Sequence, residues 1–129
     1  MANFRQHITS SGKQVLAGRS AETNEMLIEQ VGKGEIVLHT LRPGSPFVNI
    51  KADKKDVTIK EIREAAVFCA AYSQSWKKPK KKPEKIEVDY FLGEDIFKLE
   101  GMKTGTFGVK KHKTIVAKKE DVEEFEKGK

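Results

Sequence analysis

The longest apolar stretch of the chain sets the first constraint on its fold. Residues 65–71 read Ala-Ala-Val-Phe-Cys-Ala-Ala, and Thr58 and Glu61 stand just ahead of them. A Thr followed three residues later by a Glu is a capping box, in which hydroxyl and carboxylate satisfy backbone donors reciprocally. The pattern predicts the longest helix of the protein over 59–75. Ile59, Ile62, Ala66, Cys69 and Ala70 share one face, and Val67, Phe68 and Ala71 widen it. A face this broad must be covered. Its small residues permit close approach, so the helix is expected to lie on a sheet.

The rest of the chain supplies that sheet. Short runs of strand character fall at 4–9, 14–17, 35–40, 47–51, 85–91, 95–99, 106–109 and 114–117. Ser10, Ser11, Gly12 and Lys13 read as a hairpin turn between the first two. Ser20 can cap a second helix, with Glu22 well placed near its positive end and Thr23, Met26, Leu27 and Val31 on one face. The order ββαββαββββ predicts an α+β fold, a mostly antiparallel sheet with two helices packed on one face. Residues 1–118 are expected to form one domain and 119–129 an acidic tail, in which Val122 and Phe125 support one marginal helical turn. A length of 129 residues suits a single core.

Charge is segregated along the chain. The formal net charge is +6, yet residues 77–85 alone carry +5 and residues 103–119 carry +6. The remainder is net negative. Concentration of this kind points to a polyanionic partner, whereas the alternative is a solvated lysine face serving solubility or ion pairing. The lysines, interrupted by Pro79 and Pro83, predict an extended, mobile loop over 77–85. The apolar run is far too short to span a bilayer, and the N-terminus lacks a signal-peptide pattern. A single cysteine fits a reducing cytoplasm, which is the expected location.

Catalytic chemistry finds little support. One Cys and three scattered His residues offer no zinc-ligand spacing. Cys69, set among Ala, Val and Phe, reads as an inert core thiol. Residues 9–13 lack the glycine spacing of a phosphate-binding loop. Asp53 and Asp56 read as solvated. No cofactor is implied, and a binder rather than an enzyme is expected.

A series of motifs in fixed order is more specific. Gly18-Arg19-Ser20-Ala21-Glu22-Thr23-Asn24 is followed by Glu35-Ile36-Val37-Leu38-His39, then Arg42-Pro43-Gly44-Ser45, the helix 64–73, Val88-Asp89-Tyr90, and Gly101-Met102-Lys103-Thr104-Gly105. This order resembles the NFACT-R domain, the RNA-binding module of the NFACT ribosome-quality-control family, from about residue 8 to 118. The chain departs from the family pattern at Glu35, Val37, Leu38 and Thr40, where Asp, Trp, Phe and Ala are usual. At Pro46 and Phe47 the family's second His is absent. The resemblance implies structured RNA as the partner: tRNA, or rRNA on a large ribosomal subunit. Longer family members carry further domains that do not fit in 129 residues, so a stand-alone module is expected, with a separate protein supplying those parts.

The candidate RNA contacts sit at element edges, where scaffolds present recognition groups. Arg19, just before a helix N-terminus, can hold a phosphate or pair with Glu22. Asn24 can contact RNA or cap locally. His39 can meet a phosphate or base, or pin the turn that holds Arg42. Trp76 can stack on a base beside the lysine loop or close the core edge. Lys77, Lys78, Lys80, Lys81 and Lys82 in the first basic segment, and Lys103, Lys110, Lys111 and Lys113 in the second, would neutralise phosphates. Two rivals remain: an adaptor that binds an acidic protein through these lysines, and a small enzyme built on His39.

Overall fold

The computed structural model describes residues 3–128. Its centre is a six-stranded sheet, antiparallel throughout, in the order β1-β2-β4-β3-β5-β8. The strands are β1 (Arg5–Ile8), β2 (Gln14–Ala17), β3 (Glu35–Thr40), β4 (Val48–Asp53), β5 (Lys85–Leu92) and β8 (Lys113–Lys118). Two further strands, β6 (Ile96–Phe97) and β7 (Gly108–Val109), pair only with each other. The helices are α1 (Ala21–Glu29), α2 (Ile59–Ala71), α3 (Gln74–Lys77) and α4 (Lys119–Lys127).

Both predicted caps form. Thr58 accepts from the Glu61 amide, and the Glu61 carboxylate accepts from the Thr58 amide at 2.8 Å. At α1 the box closes with Thr23, whose hydroxyl oxygen accepts from the Ser20 amide at 2.8 Å. Glu61 also ties down the first hairpin. It accepts from the Ser11 hydroxyl, and Lys13 Nζ donates to it at 2.9 Å.

The helices do not share one face, as the sequence order suggested. Val15, Ala17, Ile36, Leu38, Val48, Ile50 and Val88 point toward α2, where they meet Ala65, Ala66, Phe68 and Cys69. The intervening positions point the other way. Val37 and Phe91 join Leu27 of α1, Phe47, and the β6–β7 ribbon through Ile96, Phe107 and Val109. Strand alternation enforces this division, since successive side chains leave a strand on opposite faces. The sheet is therefore covered on both sides.

Two other expectations are corrected. Residues 119–127 form the nine-residue helix α4, not one marginal turn. Its Val122 is fully buried, and Phe125 packs edge-on to Phe68 at 5.8 Å and His7 at 5.4 Å. Apolar positions three apart on an otherwise acidic helix gain enough from burial to hold it. The long helix stops at Tyr72 and resumes as α3, so Lys77 is helical and the basic loop begins only after it. Lys82 then folds back, donating to the Trp76 carbonyl at 2.6 Å.

Candidate nucleic-acid interface

The turn formed by residues 41–45, between β3 and β4, is fixed by its own polar groups. Thr40 Oγ1 donates to the Arg42 carbonyl at 2.6 Å, and Ser45 Oγ accepts from the Thr40 amide at 3.0 Å. Gly44 adopts φ +96°, a left-handed value that glycine accepts without steric cost. Its carbonyl accepts from the Gln74 amide at 2.8 Å, docking the turn against the start of α3. On the other flank, Asn24 Oδ1 accepts from the Phe47 amide at 3.1 Å, which ties α1 to the start of β4. Asn24 thus holds the scaffold, and Gly18 leaves it room: a Cβ there would lie 2.0 Å from Asn24 Oδ1.

Three clefts meet at this turn. The first, about 250 Å3, collects Arg5, Arg19 and Lys77 around Gly44 and Ser45. Among the described residues no acid lines it. Arg5 stacks its guanidinium 4.3 Å above the Tyr72 ring and donates to the Gly18 carbonyl at 3.1 Å. Lys77 Nζ lies 5.4 Å from the same ring. Arg19 is exposed, and its Nε donates to the Asn3 carbonyl at 3.0 Å. The second cleft, about 380 Å3, places Arg42 and Lys85 beside Pro79 and Pro83 at the foot of the lysine loop. The third, about 360 Å3, lies between them and is lined by His39, Phe47, Asp89 and Phe107. It shares Leu41 with the second cleft and Gly44 and Ser45 with the first.

His39 is half-buried, its ring 4.5 Å from that of Phe47. Its Nδ1 is 2.8 Å from the Thr40 carbonyl. Burial pushes its pKa below the ordinary value, against opposing effects of the Thr40 hydrogen bond and Asp89. A neutral ring is a poor phosphate binder but a good hydrogen-bond acceptor.

The structure places Arg19, His39, Arg42 and Lys77, each singled out separately in the sequence, in clefts around one turn. Sequence reasoning missed Arg5 and Tyr72. Arg5 carries no local signal, because only the β1–α2 juxtaposition makes it part of a cleft. Trp76 is a correction: it is 2% exposed and closes the core, so its ring offers no stacking platform. Lys78, Lys80 and Lys81 are exposed on the loop. Lys103 is exposed in the β6–β7 connection, next to Gly105, whose backbone packs against Ala21 of α1. Lys110, Lys111 and Lys113 lie elsewhere. Lys85 pairs with Lys118, and Tyr90 with Lys113, so Lys110, Lys111 and Lys113 lie at the end of β5–β8 opposite Lys85 and the lysine loop. That separation is ~17 Å at about 3.4 Å per residue. At the far end Lys54, Lys111 and Lys113 border another cleft of about 390 Å3. Among the described residues no group of three or more His, Cys, Asp or Glu could hold a metal ion, and no helix is long and apolar enough to cross a membrane.

The family described as the NFACT protein RNA binding domain matches residues 3–111. An archaeal Rqc2 homologue from Methanocaldococcus jannaschii is 38% identical over 68 residues, covering 52% of this chain and 10% of that protein. The C-terminal part of a fibronectin/fibrinogen-binding protein from Streptococcus suis superposes with a TM-score of 0.80 at 20% identity, covering 96% of this chain and 49% of that one. The chain thus spans about a tenth of the first relative and about half of the second.

Proposed function

We propose that this chain, which belongs to the family of NFACT protein RNA-binding domains, grips RNA phosphates around its 41–45 turn and works in ribosome-associated quality control. The carrying observation is the convergence of Arg5, Arg19 and Lys77 on one acid-free cleft, with Arg42 and Lys85 in the adjoining one. Guanidinium and ammonium groups suit a phosphate backbone, in the first cleft without a competing carboxylate and in the second beside Glu87. Exposed Lys78, Lys80 and Lys81 extend the field along the strand. The distal lysines at 110–113 provide a second contact, which a folded RNA reaches and a short single strand does not. tRNA, or rRNA on a large subunit, fits that requirement. The archaeal Rqc2 relative supports the ribosomal setting, where a separate protein would contribute the remaining grip. The protein acts in the cytoplasm, as a binder of RNA.

The test is binding of labelled tRNA across a salt series. Five cations around the turn, Arg5, Arg19, Arg42, Lys77 and Lys85, alone give a log K against log salt slope of roughly −3.5 to −4.5, which the loop and distal lysines steepen for tRNA. Co-sedimentation with large ribosomal subunits, lost at high salt, is the expected cellular counterpart. A flat titration, with binding to an acidic protein instead, would replace this reading by the adaptor.

A further inference from the structure

The middle cleft differs from its neighbours in kind. Among the described residues neither lysine nor arginine lines it. Asp89 and His39 supply acceptors, while the Thr40 and Ser45 hydroxyls already donate to the Arg42 and Pro46 carbonyls. Asp89 lies directly across from His39 in the β3–β5 register. The Asp89 side chain is 16% exposed. Its Oδ1 accepts from Thr114 Oγ1 at 2.8 Å and lies 3.8 Å from His112 Nε2, contacts that orient the carboxylate. The imidazole of His39 is oriented as well. A carbonyl cannot donate, so Nδ1 carries the proton toward Thr40, and the neutral ring keeps an acceptor lone pair on Nε2. The walls are aromatic: Phe47 and Phe107 meet edge to face at 5.5 Å. A volume of about 360 Å3 falls in the small-ligand range of roughly 300–1,000 Å3.

A flat ligand rich in adjacent donors fits this site. The cationic clefts on either side, which share turn residues with it, repel a Lys- or Arg-bearing peptide and attract phosphates. A nucleotide whose phosphates run along the flanks would drop its base between them. We propose that the middle cleft takes an unstacked guanine of the bound RNA, its N1–H and N2 amino donors accepted by the Asp89 carboxylate and its ring set against His39 and Phe107. Guanine alone among the four bases presents two adjacent donors on its Watson–Crick edge. Adenine and cytosine place a ring-nitrogen lone pair beside their amino group. Uracil flanks its one donor with carbonyl oxygens. Each of those would set a lone pair against a carboxylate oxygen. The inference rests on the RNA-binding reading above, and adds base selectivity to it.

The experiment uses the whole chain and labelled uridine pentamers bearing one central guanine, adenine, cytosine or hypoxanthine, at fixed low salt. Guanine should bind roughly tenfold tighter than adenine or cytosine, the discrimination expected of a bidentate pair. Hypoxanthine, which lacks the N2 amino group, should fall between. Asp89→Asn should abolish the preference for guanine over adenine and cytosine. Thr114→Val deletes the hydrogen bond that orients Asp89 but keeps the carboxylate. It should retain a reduced preference for guanine, which separates recognition from folding. Equal affinity for all pentamers, with tRNA still bound, would overturn the guanine site alone. Failure to bind any pentamer or tRNA would overturn it together with the RNA reading.

Discussion

Replacing Gly44 by alanine tests whether the turn that joins the clefts depends on its backbone. Gly44 sits at φ +96°, and an added Cβ would lie 2.9 Å from Gln74 Cγ and 3.1 Å from Gln74 Cβ. Gly12 provides the control, for it has a similar φ of +90° with nothing within 4 Å of a Cβ. Left-handed backbone costs a non-glycine residue about 1–2 kcal/mol. Gly12→Ala should lose that amount alone. Gly44→Ala adds the displacement of Gln74, about 1 kcal/mol at the low end of overpacking because Gln74 is exposed and flexible. At roughly 4 °C per kcal/mol for a domain of this size, Tm should fall by ~4–8 °C for Gly12→Ala and by ~8–12 °C for Gly44→Ala. Differential scanning calorimetry reads both. The double variant Gly44→Ala/Gln74→Ala should recover only the Cγ part of the contact, since the Cβ at position 74 stays 3.1 Å away. RNA affinity should fall for Gly44→Ala and hold for Gly12→Ala, whose hairpin lies away from the clefts. Equal Tm losses for the two would refute the contact argument, and no loss in either would refute the torsional one.

Three further outcomes follow from buried groups. The Ser11 hydroxyl, the Thr58 amide and Lys13 hold the Glu61 carboxyl down to about 2. A carboxyl lowered by folding contributes stability above its unfolded value near 4.5, lost as pH falls toward 2; Glu61→Gln should flatten that part of an acid-denaturation curve. Burial pushes the Cys69 thiol up to about 12, so a thiol reagent should not modify the native protein at pH 8 and should label it fully in denaturant. Lys82→Gln should cost about 1–2 kcal/mol through loss of its charged hydrogen bond to the Trp76 carbonyl, whereas exposed Lys80→Gln and Lys81→Gln should leave urea midpoints unchanged.

Local chemistry made much of the fold legible. Ser20 and Thr58 announce their helices because capping depends on residues within one turn. Cys69 declares itself a core residue by its neighbours. The second face of the sheet was also written in β3, where Ile36, Val37 and Leu38 run apolar without alternation, the mark of a strand covered on both sides. Reading helices onto one face overlooked that run. Helix α4 was harder to see. Phe125 gains its worth from Phe68 and His7, and Val122 from the core under α2, all distant in sequence. The site divides in the same way. Motif order pointed to Arg19, His39 and Arg42, whereas Arg5, Tyr72 and the opposed Asp89 become neighbours only through strand pairing and helix packing. Trp76 stood beside lysines in sequence, yet the break at Tyr72 turns it into the core.

The central claim is that the 41–45 turn is where RNA is held. Backbone amide chemical shifts of the labelled protein, followed while a short single-stranded RNA is titrated in, test it most directly. The account predicts that shifts concentrate at Gly18, Arg19, His39, Leu41, Arg42, Gly44 and Lys77, with the 110–113 turn responding only when a folded RNA replaces the short strand. Shifts confined to the 110–113 turn, or absent from residues 39–45, would contradict it.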